Sequence, residues 1–273
     1  FTLVPTAFAA ETTGTNGDQT ETPELTNPAT EGTSGGIDWK VKDGTLTISP
    51  SENPESSTYA RGQMADYTLI TENKVMHTTA PWKVYDGDIK SVIIEPGVTN
   101  IGSHAFFMCN NLESVSLPDG VTTIGDRAFW QTSLKNITIP ASVTQIGTEI
   151  KEVFYQCYDL ENITVASGNT AYQSIDGVLY TADGTTLIQY PQNKADTSYK
   201  MIDGATKIEF LAFNYTQNLK TIDFNNVTTV ADKGVYGNKA LEEIVLPKVT
   251  TIGARAFSGN KAVTSLTLQT VPT

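Results

Sequence analysis

Histidine, serine, threonine and acidic residues are the side chains of this sequence that could support catalysis or bind a metal. The two histidines, His77 and His104, stand in unrelated contexts, and no serine or threonine has a histidine partner that would activate it as a nucleophile. The chain has no HExxH zinc motif and no glycine-lysine phosphate loop. No pair of carboxylates is set apart in an apolar pocket, as acid–base catalysis would require. We therefore expect a protein that is not an enzyme, with no metal site and no cofactor.

The composition argues against two further classes of function. The 273 residues include 18 basic and 30 acidic side chains, so the net charge is −12. A nucleic-acid-binding protein needs a basic surface for the phosphates, and this balance argues against one. No run approaches the 18 or so apolar residues that a membrane-spanning helix needs, so we expect no transmembrane segment. Threonine is unusually frequent, with 41 copies.

The two ends of the chain carry signals that concern its export. The opening FTLVPTAFAAE is apolar, and Ala7-Phe8-Ala9 has the small residues of a secretory cleavage site. Residues 1–36 contain five carboxylates, no Lys or Arg and few apolar side chains. Such a segment buries too little surface to offset its ordering entropy, so we expect a signal-peptide remnant followed by a disordered spacer. The last strand-like run, before Thr273, lacks the second half of a repeat, which indicates that a longer protein continues beyond it.

An internal repeat of 22 or 23 residues organises most of the chain. Each unit has a short alternating run that mostly ends in Pro, then an anchor Ile or Val, then a small residue and an aromatic or apolar one, as in IGxxAF. The anchors are Ile101, Ile124, Ile146, Ile208, Val230 and Ile252, separated by 23, 22, 62, 22 and 22 residues. A fixed period of this length is the signature of a solenoid.

The residues of one unit indicate how it folds. Leu112, Val115 and Leu117 lie on one side of a strand, with Ser114 and Ser116 on the other. One unit cannot bury these apolar groups alone, but neighbouring units that stack on it can. The sequence therefore predicts an α/β solenoid with a parallel β-sheet on its concave face and short helices or turns on its convex face.

The pattern LxxIxIPxxVTxIGxxAFxxCxxL resembles the BspA-like, or Treponema-type, leucine-rich repeats of bacterial surface proteins. The resemblance covers residues 89 to 268 in about seven units. It implies a leucine-rich-repeat solenoid on the bacterial cell surface, with a role in adhesion to host proteins or to other cells. Nothing in the composition or the spacing shows that role independently.

Two further segments complete the predicted organisation of residues 37–273. In residues 37–88, Asp43-Gly44 forms a two-residue hairpin turn that sets Trp39 and Val41 opposite Ile48 and Leu46. This hairpin would cap the first coil, and the resemblance implies the same. Residues 89–273 hold the repeats, and SIDGVLYTADGTTLIQYP resembles the family's hairpin insert, near residues 171–191.

The outward-facing strand positions are the first candidate binding surface, because the concave sheet of a solenoid is its usual binding face. The candidates are short and mostly uncharged: Ser114, Ser116, Asn136, Thr138, Asn162, Thr164, Thr221 and Asp223. They suit a shallow polar site for a protein, with a glycan as the alternative. The alternative is that these residues have no binding role and occupy the solvent-exposed face of the sheet because they favour strands.

An aromatic column is the second candidate surface. It consists of the residue after the repeat's aromatic or apolar position, namely Phe107, Trp130, Tyr155 and Tyr236, with Tyr215 nearby. Such rings could stack sugar rings or dock a partner if they are exposed and coplanar. The alternative is that they pack along the edge of the coils.

Cys109 and Cys157 both stand three residues after a repeat Phe. Equivalent positions two coils apart are separated by about twice the ~4.8 Å strand spacing, beyond the roughly 7 Å that a disulfide bridges. We expect two free, buried thiols. Taken together, the sequence predicts an exported, extracellular binding module; a carbohydrate-binding module and a non-catalytic scaffold of a larger surface enzyme are the alternatives.

Overall fold

The computed structural model describes residues 28–72, 74–148 and 152–268. The predicted signal remnant and the spacer up to residue 27 lie outside the described residues, as do the last five residues of the chain.

The cap contains five strands and a short 3-10 helix, namely β1 (Glu31–Ser34), β2 (Ile37–Lys42), β3 (Thr45–Pro50), β4 (Leu69–Glu72), β5 (Val75–Thr78) and the helix Pro81–Tyr85. β2 and β3 pair antiparallel with Trp39 opposite Ile48 and Val41 opposite Leu46, which confirms the predicted register. The turn residues 43 and 44 have φ angles of 50° and 75°, as a two-residue hairpin turn requires.

The cap begins earlier than the predicted boundary at residue 37. β1 falls in the last residues assigned to the spacer, and it pairs antiparallel with β2 along its whole length. Gly35 turns the chain between the two strands with a φ of 63°, and its N–H donates to the Glu55 carboxylate at 2.8 Å. The sequence EGTS gave no alternation to predict this strand, because three of its four residues are exposed.

The first coils each supply one longer strand and one two-residue lateral strand: β6 (Ser91–Ile94), β7 (Asn100–Ile101), β8 (Ser114–Ser116), β9 (Thr123–Ile124), β10 (Asn136–Ile139), β11 (Gln145–Ile146) and β12 (Asn162–Val165). β3 of the cap pairs parallel with β6, and β6 with β8, so the cap and the coils share one sheet. β10 pairs parallel with β12, and β7, β9 and β11 form a separate lateral ladder. We call the outward side of the longer strands the strand face; it corresponds to the predicted concave face.

The insert comprises three strands, β13 (Tyr172–Ile175), β14 (Val178–Thr181) and β15 (Thr186–Gln189), which pair antiparallel in sequence order. It is therefore a meander rather than a simple hairpin. Leu179 packs into the core of the preceding coils, whereas Val178 and Tyr180 pack into the core of the following coils. The insert thus lies between two hydrophobic cores, and both contact its middle strand.

The second set of coils contains β16 (Ser198–Lys200), β17 (Lys207–Ile208), β18 (Phe213–Asn214), β19 (Thr221–Asp223), β20 (Thr229–Val230), β21 (Val235–Tyr236), β22 (Glu243–Leu246), β23 (Thr251–Ile252) and β24 (Ser265–Leu268). The strand-face order is β16-β19-β22-β24, all parallel. β15 of the insert pairs parallel with β17 and so starts the second lateral ladder.

Of the short helices or turns predicted for the convex face, the structure shows turns: no helix lies among the described residues between β6 and β24. His104, Arg127, Lys233 and Arg255 occupy equivalent turn positions with φ between 50° and 57°, in the left-handed region. In the first of these turns, three alternate N–H groups (residues 104, 106 and 108) donate to carbonyl oxygens of the next coil at 2.8–2.9 Å. An α-helix would need those N–H groups for bonds within its own turn. The α/β class is therefore corrected to a β-solenoid of stacked coils.

Aromatic stacking and threonine columns join successive coils. The Phe129 ring lies 5.4 Å from Phe106 and 6.0 Å from Phe154, and Trp82 of the cap extends this stack to 6.0 Å from Phe106. At the lateral edge, Thr228 Oγ1 donates to the Thr206 carbonyl oxygen at 3.3 Å, and four equivalent bonds link other threonine pairs. Part of the threonine richness of the chain is thus structural.

Candidate binding surfaces

The first six predicted strand-face residues form two adjacent rows. In the parallel pairing of β10 with β12, Asn136 lies beside Asn162 and Thr138 beside Thr164, with the two threonine Oγ1 atoms 3.4 Å apart. β8 is adjacent to β10, and its Ser114 and Ser116 are exposed on the same face. The sequence pattern therefore placed these side chains on one surface, and the structure brings them together.

Thr221 and Asp223 belong to a separate part of the strand face. They lie on β19 beside Ser198 and Lys200 of β16. The insert intervenes, because the Ile163 N–H of β12 donates to the Gly177 carbonyl oxygen of the insert at 2.9 Å. The eight predicted residues are consequently divided between an N-terminal and a C-terminal section of the strand face.

The N-terminal section also extends onto the cap, which the sequence reasoning missed. Thr47 of β3 lies beside Ile93 of β6, which lies beside Ser116 of β8. Lys40 of β2 pairs with Thr47 and continues the row to the edge strand. The rows therefore cross β1, β2, β3, β6, β8, β10 and β12, about 30 Å at the usual strand spacing.

Ile93 is the exposed apolar side chain within this section. It is 45% exposed, whereas its strand neighbours Val92 and Ile94 are buried in the core. Equivalent positions in neighbouring coils hold Ser116 and Thr138. The signal was available in the run SVII, whose third residue breaks the polar pattern of the outward positions.

A shallow groove of about 520 Å³ lies at the cap end of this section. Its polar lining includes two internally paired sets of side chains. Lys40 and Glu31 form an ion pair across β2 and β1, and Thr33 Oγ1 donates to Asp38 at 2.7 Å. Charged groups therefore border the section at one end, while hydroxyl and amide groups fill its middle.

The predicted aromatic column is continuous but it is not a flat platform. Successive ring centroids from Phe107 through Trp130, Tyr155, Tyr215 and Tyr236 are separated by 5.6, 4.3, 5.4 and 5.7 Å. The corresponding interplanar angles are 36°, 44°, 73° and 85°, so the rings are not coplanar. Phe107 is only 3% exposed, which removes it as a ligand contact.

The N-terminal part of the column is further covered by charged side chains. The Arg127 guanidinium lies 4.9 Å from the Trp130 ring centroid, and Glu152 accepts a hydrogen bond from Arg127 Nε at 2.7 Å. Tyr155 and Tyr215 share a hydroxyl contact of 3.2 Å. Burial, chiefly, raises the pKa of the Tyr155 phenol. Packing therefore accounts for the rings from Phe107 to Tyr155.

The cysteines and His104 have structural environments. Cys109 and Cys157 are free and buried, which confirms the prediction of two buried thiols. Burial raises the pKa of the Cys157 thiol to about 11, so it stays protonated and its Sγ donates to the Phe129 carbonyl oxygen at 3.0 Å. His104 Nδ1 lies 2.7 Å from the Tyr67 carbonyl oxygen, and burial lowers the pKa of its imidazole.

Among residues 28–72, 74–148 and 152–268, no three His, Cys, Asp or Glu side chains are grouped so that they could hold a metal ion. Within the same residues no helix is long and apolar enough to cross a membrane.

Comparisons with known proteins agree with this architecture. The sequence model of the BspA-type leucine-rich-repeat region matches residues 84–196 and 192–272, in six copies. A solved leucine-rich repeat protein from Eubacterium ventriosum is 29% identical, with a TM-score of 0.57, over 86% of this chain and 70% of that one. The pneumococcal vaccine antigen PcpA is 20% identical, with a TM-score of 0.55, over 88% of this chain and 81% of its own, a likeness of fold. No curated protein matches the chain significantly.

The family match covers more than half of the sequence and coincides with the stacked coils of the structure. The chain belongs to the BspA-type leucine-rich repeat family.

Proposed function

We propose that this protein is an exported, non-enzymatic module of the bacterial cell surface, which adheres to a host or bacterial protein through the N-terminal section of its strand face. One observation carries the proposal: Ile93 is 45% exposed amid continuous rows of polar side chains.

The chemistry of the section suits a protein partner. Interfaces combine a few apolar anchors at their centre with a surrounding rim of polar groups that exclude water. Ile93 supplies such an anchor, and Thr47 and Ser116 flank it in the same row. The groove of this surface is shallow, and its Lys40 and Glu31 side chains are paired with each other, so binding rather than catalysis is its expected use.

Export to the cell surface is supported by the sequence before the cap. The Ala7-Phe8-Ala9 segment resembles a cleavage site, and the acidic segment that follows it would hold the folded coils away from the cell. The repeats belong to the BspA-type leucine-rich-repeat family, and stacked repeats generally form extended binding surfaces.

The test is a binding screen followed by matched variants. The purified protein is applied to an array of extracellular-matrix proteins, bacterial surface proteins and glycans, and each hit is titrated with Ile93→Asp and with Val84→Asp. Val84 is a good control because it is also apolar and is 53% exposed, on the 3-10 helix of the cap.

We expect a protein hit whose affinity falls at least tenfold with Ile93→Asp and stays within twofold with Val84→Asp. Circular dichroism and thermal melts of both variants establish that they remain folded. Equal losses in the two variants, or a screen that yields glycan hits without any protein hit, would refute the proposal.

A further inference from the structure

The C-terminal end of the aromatic column opens into a groove of about 430 Å³. Six residues line it, and we call it the tyrosine–lysine groove: Tyr215, Tyr236, Gly237, Lys239, Gly259 and Lys261. It lies on the turns that follow β18, β21 and β23, away from the strand face.

Glycine creates the groove. Gly237 has a φ of 72°, and a Cβ at this residue would lie 2.6 Å from Cε1 of Tyr215. Gly259 is its equivalent in the next coil. It has a φ of 81°, and a Cβ at this residue would lie 3.1 Å from the Gly237 Cα. The floor is therefore bare backbone with the Tyr215 ring lying against it, and Tyr236 stands edge-on to Tyr215 at 5.7 Å.

The backbone of the floor already has partners. The N–H of Gly237 donates to the Ser258 carbonyl oxygen at 3.0 Å, and the N–H of Asn238 donates to Asn260 Oδ1 at 2.9 Å. A peptide that bound as an added strand would need free N–H groups of this kind. The groove instead offers ring surface and side-chain charge to its ligand.

Lysines line the same groove. Lys239 and Lys261 are exposed, and they occupy equivalent positions one coil apart, so their backbones are separated by about 4.8 Å. Neither has an ion-pair partner among the residues that the structure describes. A third cation, Lys233, places its Nζ 5.8 Å from the Tyr236 ring centroid. On a chain of net charge −12, this local excess of cations favours an anionic ligand.

We propose that the tyrosine–lysine groove binds an acidic saccharide, a sugar ring that bears a carboxylate or a sulfate. The C–H face of the ring packs on the tyrosines, and the anionic group lies between the Nζ atoms of Lys239 and Lys261. Two coils span about 10 Å, enough for one or two sugar rings. This site is separate from the proposed protein-binding surface, and either can fail without the other.

Isothermal titration calorimetry with defined oligosaccharides tests the proposal. The probes are an oligogalacturonate for the carboxylate, a heparin-derived oligosaccharide for the sulfate, a neutral galacto-oligosaccharide and a poly-glutamate peptide. The groove variant is Lys239→Met with Lys261→Met. Its control is Lys42→Met with Lys90→Met, which removes two other exposed lysines and changes the net charge by the same amount.

We expect at least one acidic oligosaccharide to bind, more weakly as salt is raised, and the neutral one to bind at least tenfold more weakly. The groove variant should lose tenfold or more in affinity, and the control variant less than twofold. The two acidic probes distinguish carboxylate from sulfate recognition. Failure of both acidic sugars to bind, equal losses in the two double variants, or poly-glutamate binding as tightly as the sugars would overturn the proposal.

Discussion

Truncation of Phe129 to alanine tests whether the two cores of the solenoid are energetically separate. Phe129 is fully buried in the first core, between the rings of Phe106 and Phe154. The second core is built from later residues, and the two meet at β14 of the insert. Because coils couple mainly to their neighbours, damage at Phe129 should remain within the first core.

The expected magnitude follows from the packing of the ring. Replacement of a buried Phe by Ala costs about 3–5 kcal/mol, which includes the cavity that is left. Phe129→Ala also removes two stacked contacts, each worth about 0.5–1.5 kcal/mol beyond area burial, so we expect the upper half of that range. The loss is a large fraction of the stability of a typical domain.

Urea unfolding measures the loss, and hydrogen exchange with mass spectrometry locates it. We expect amides of β6 to β12 to lose protection while those of β16 to β22 keep it. Phe213→Ala is the matched control, because Phe213 is the equivalent buried residue of the second core and stacks on Tyr190 at 5.1 Å. It should give the opposite pattern. Equal loss of protection in both sections after either substitution would refute the separation of the cores.

Three other predictions concern buried or partly buried polar groups and thiols. Asn238→Ala should lower the free energy of unfolding in urea by about 1–3 kcal/mol, because it leaves the buried Thr216 N–H, which donates to Asn238 Oδ1 at 2.7 Å, without an acceptor. A loss under about 0.5 kcal/mol would contradict this. Cys109 and Cys157 should not react with a thiol reagent in the native protein and should both react in denaturant, since burial raises the pKa of each thiol; native labelling, or no labelling in denaturant, would be inconsistent with that environment. Burial, chiefly, lowers the pKa of His104 in the folded protein. The contribution of the neutral imidazole to folding stability is therefore present above about pH 6.5 and is lost as the pH falls through the folded pKa. Unfolding at pH 7 and pH 5 should therefore show a smaller acid-induced loss for His104→Gln than for the unsubstituted chain, and equal losses would rule out this role.

The repeat period was sufficient to predict the stacked coils and the two buried thiols, and the Asp43-Gly44 turn was sufficient to predict the cap hairpin. Those features depend on side-chain periodicity and turn chemistry, which are local. The convex face was predicted to hold short helices or turns, because nothing in IGxxAF reveals which backbone groups donate across coils. The structure has turns, in which the stacking of coils holds non-glycine residues such as His104 and Arg127 in the left-handed region.

The candidate surfaces were predicted less completely. Periodicity placed Ser116, Asn136 and Thr138 on one face correctly, but it could not show that the insert separates them from Asp223. Nor could it show that β1 adds a strand to the cap, because EGTS has no apolar pattern. The aromatic column was visible as a spacing, whereas the burial of Phe107 depends on packing between coils.

A hydrogen-exchange footprint of the complex with the protein ligand identified by the array tests the central claim most directly. With the partner bound, we predict increased protection in β3, β6, β8 and β10, with Ile93 at the centre of the protected region. The turns around His104 and Arg127, on the other side of the same coils, should be unchanged. Protection confined to those turns, with the strands of the N-terminal section unaffected, would contradict the account.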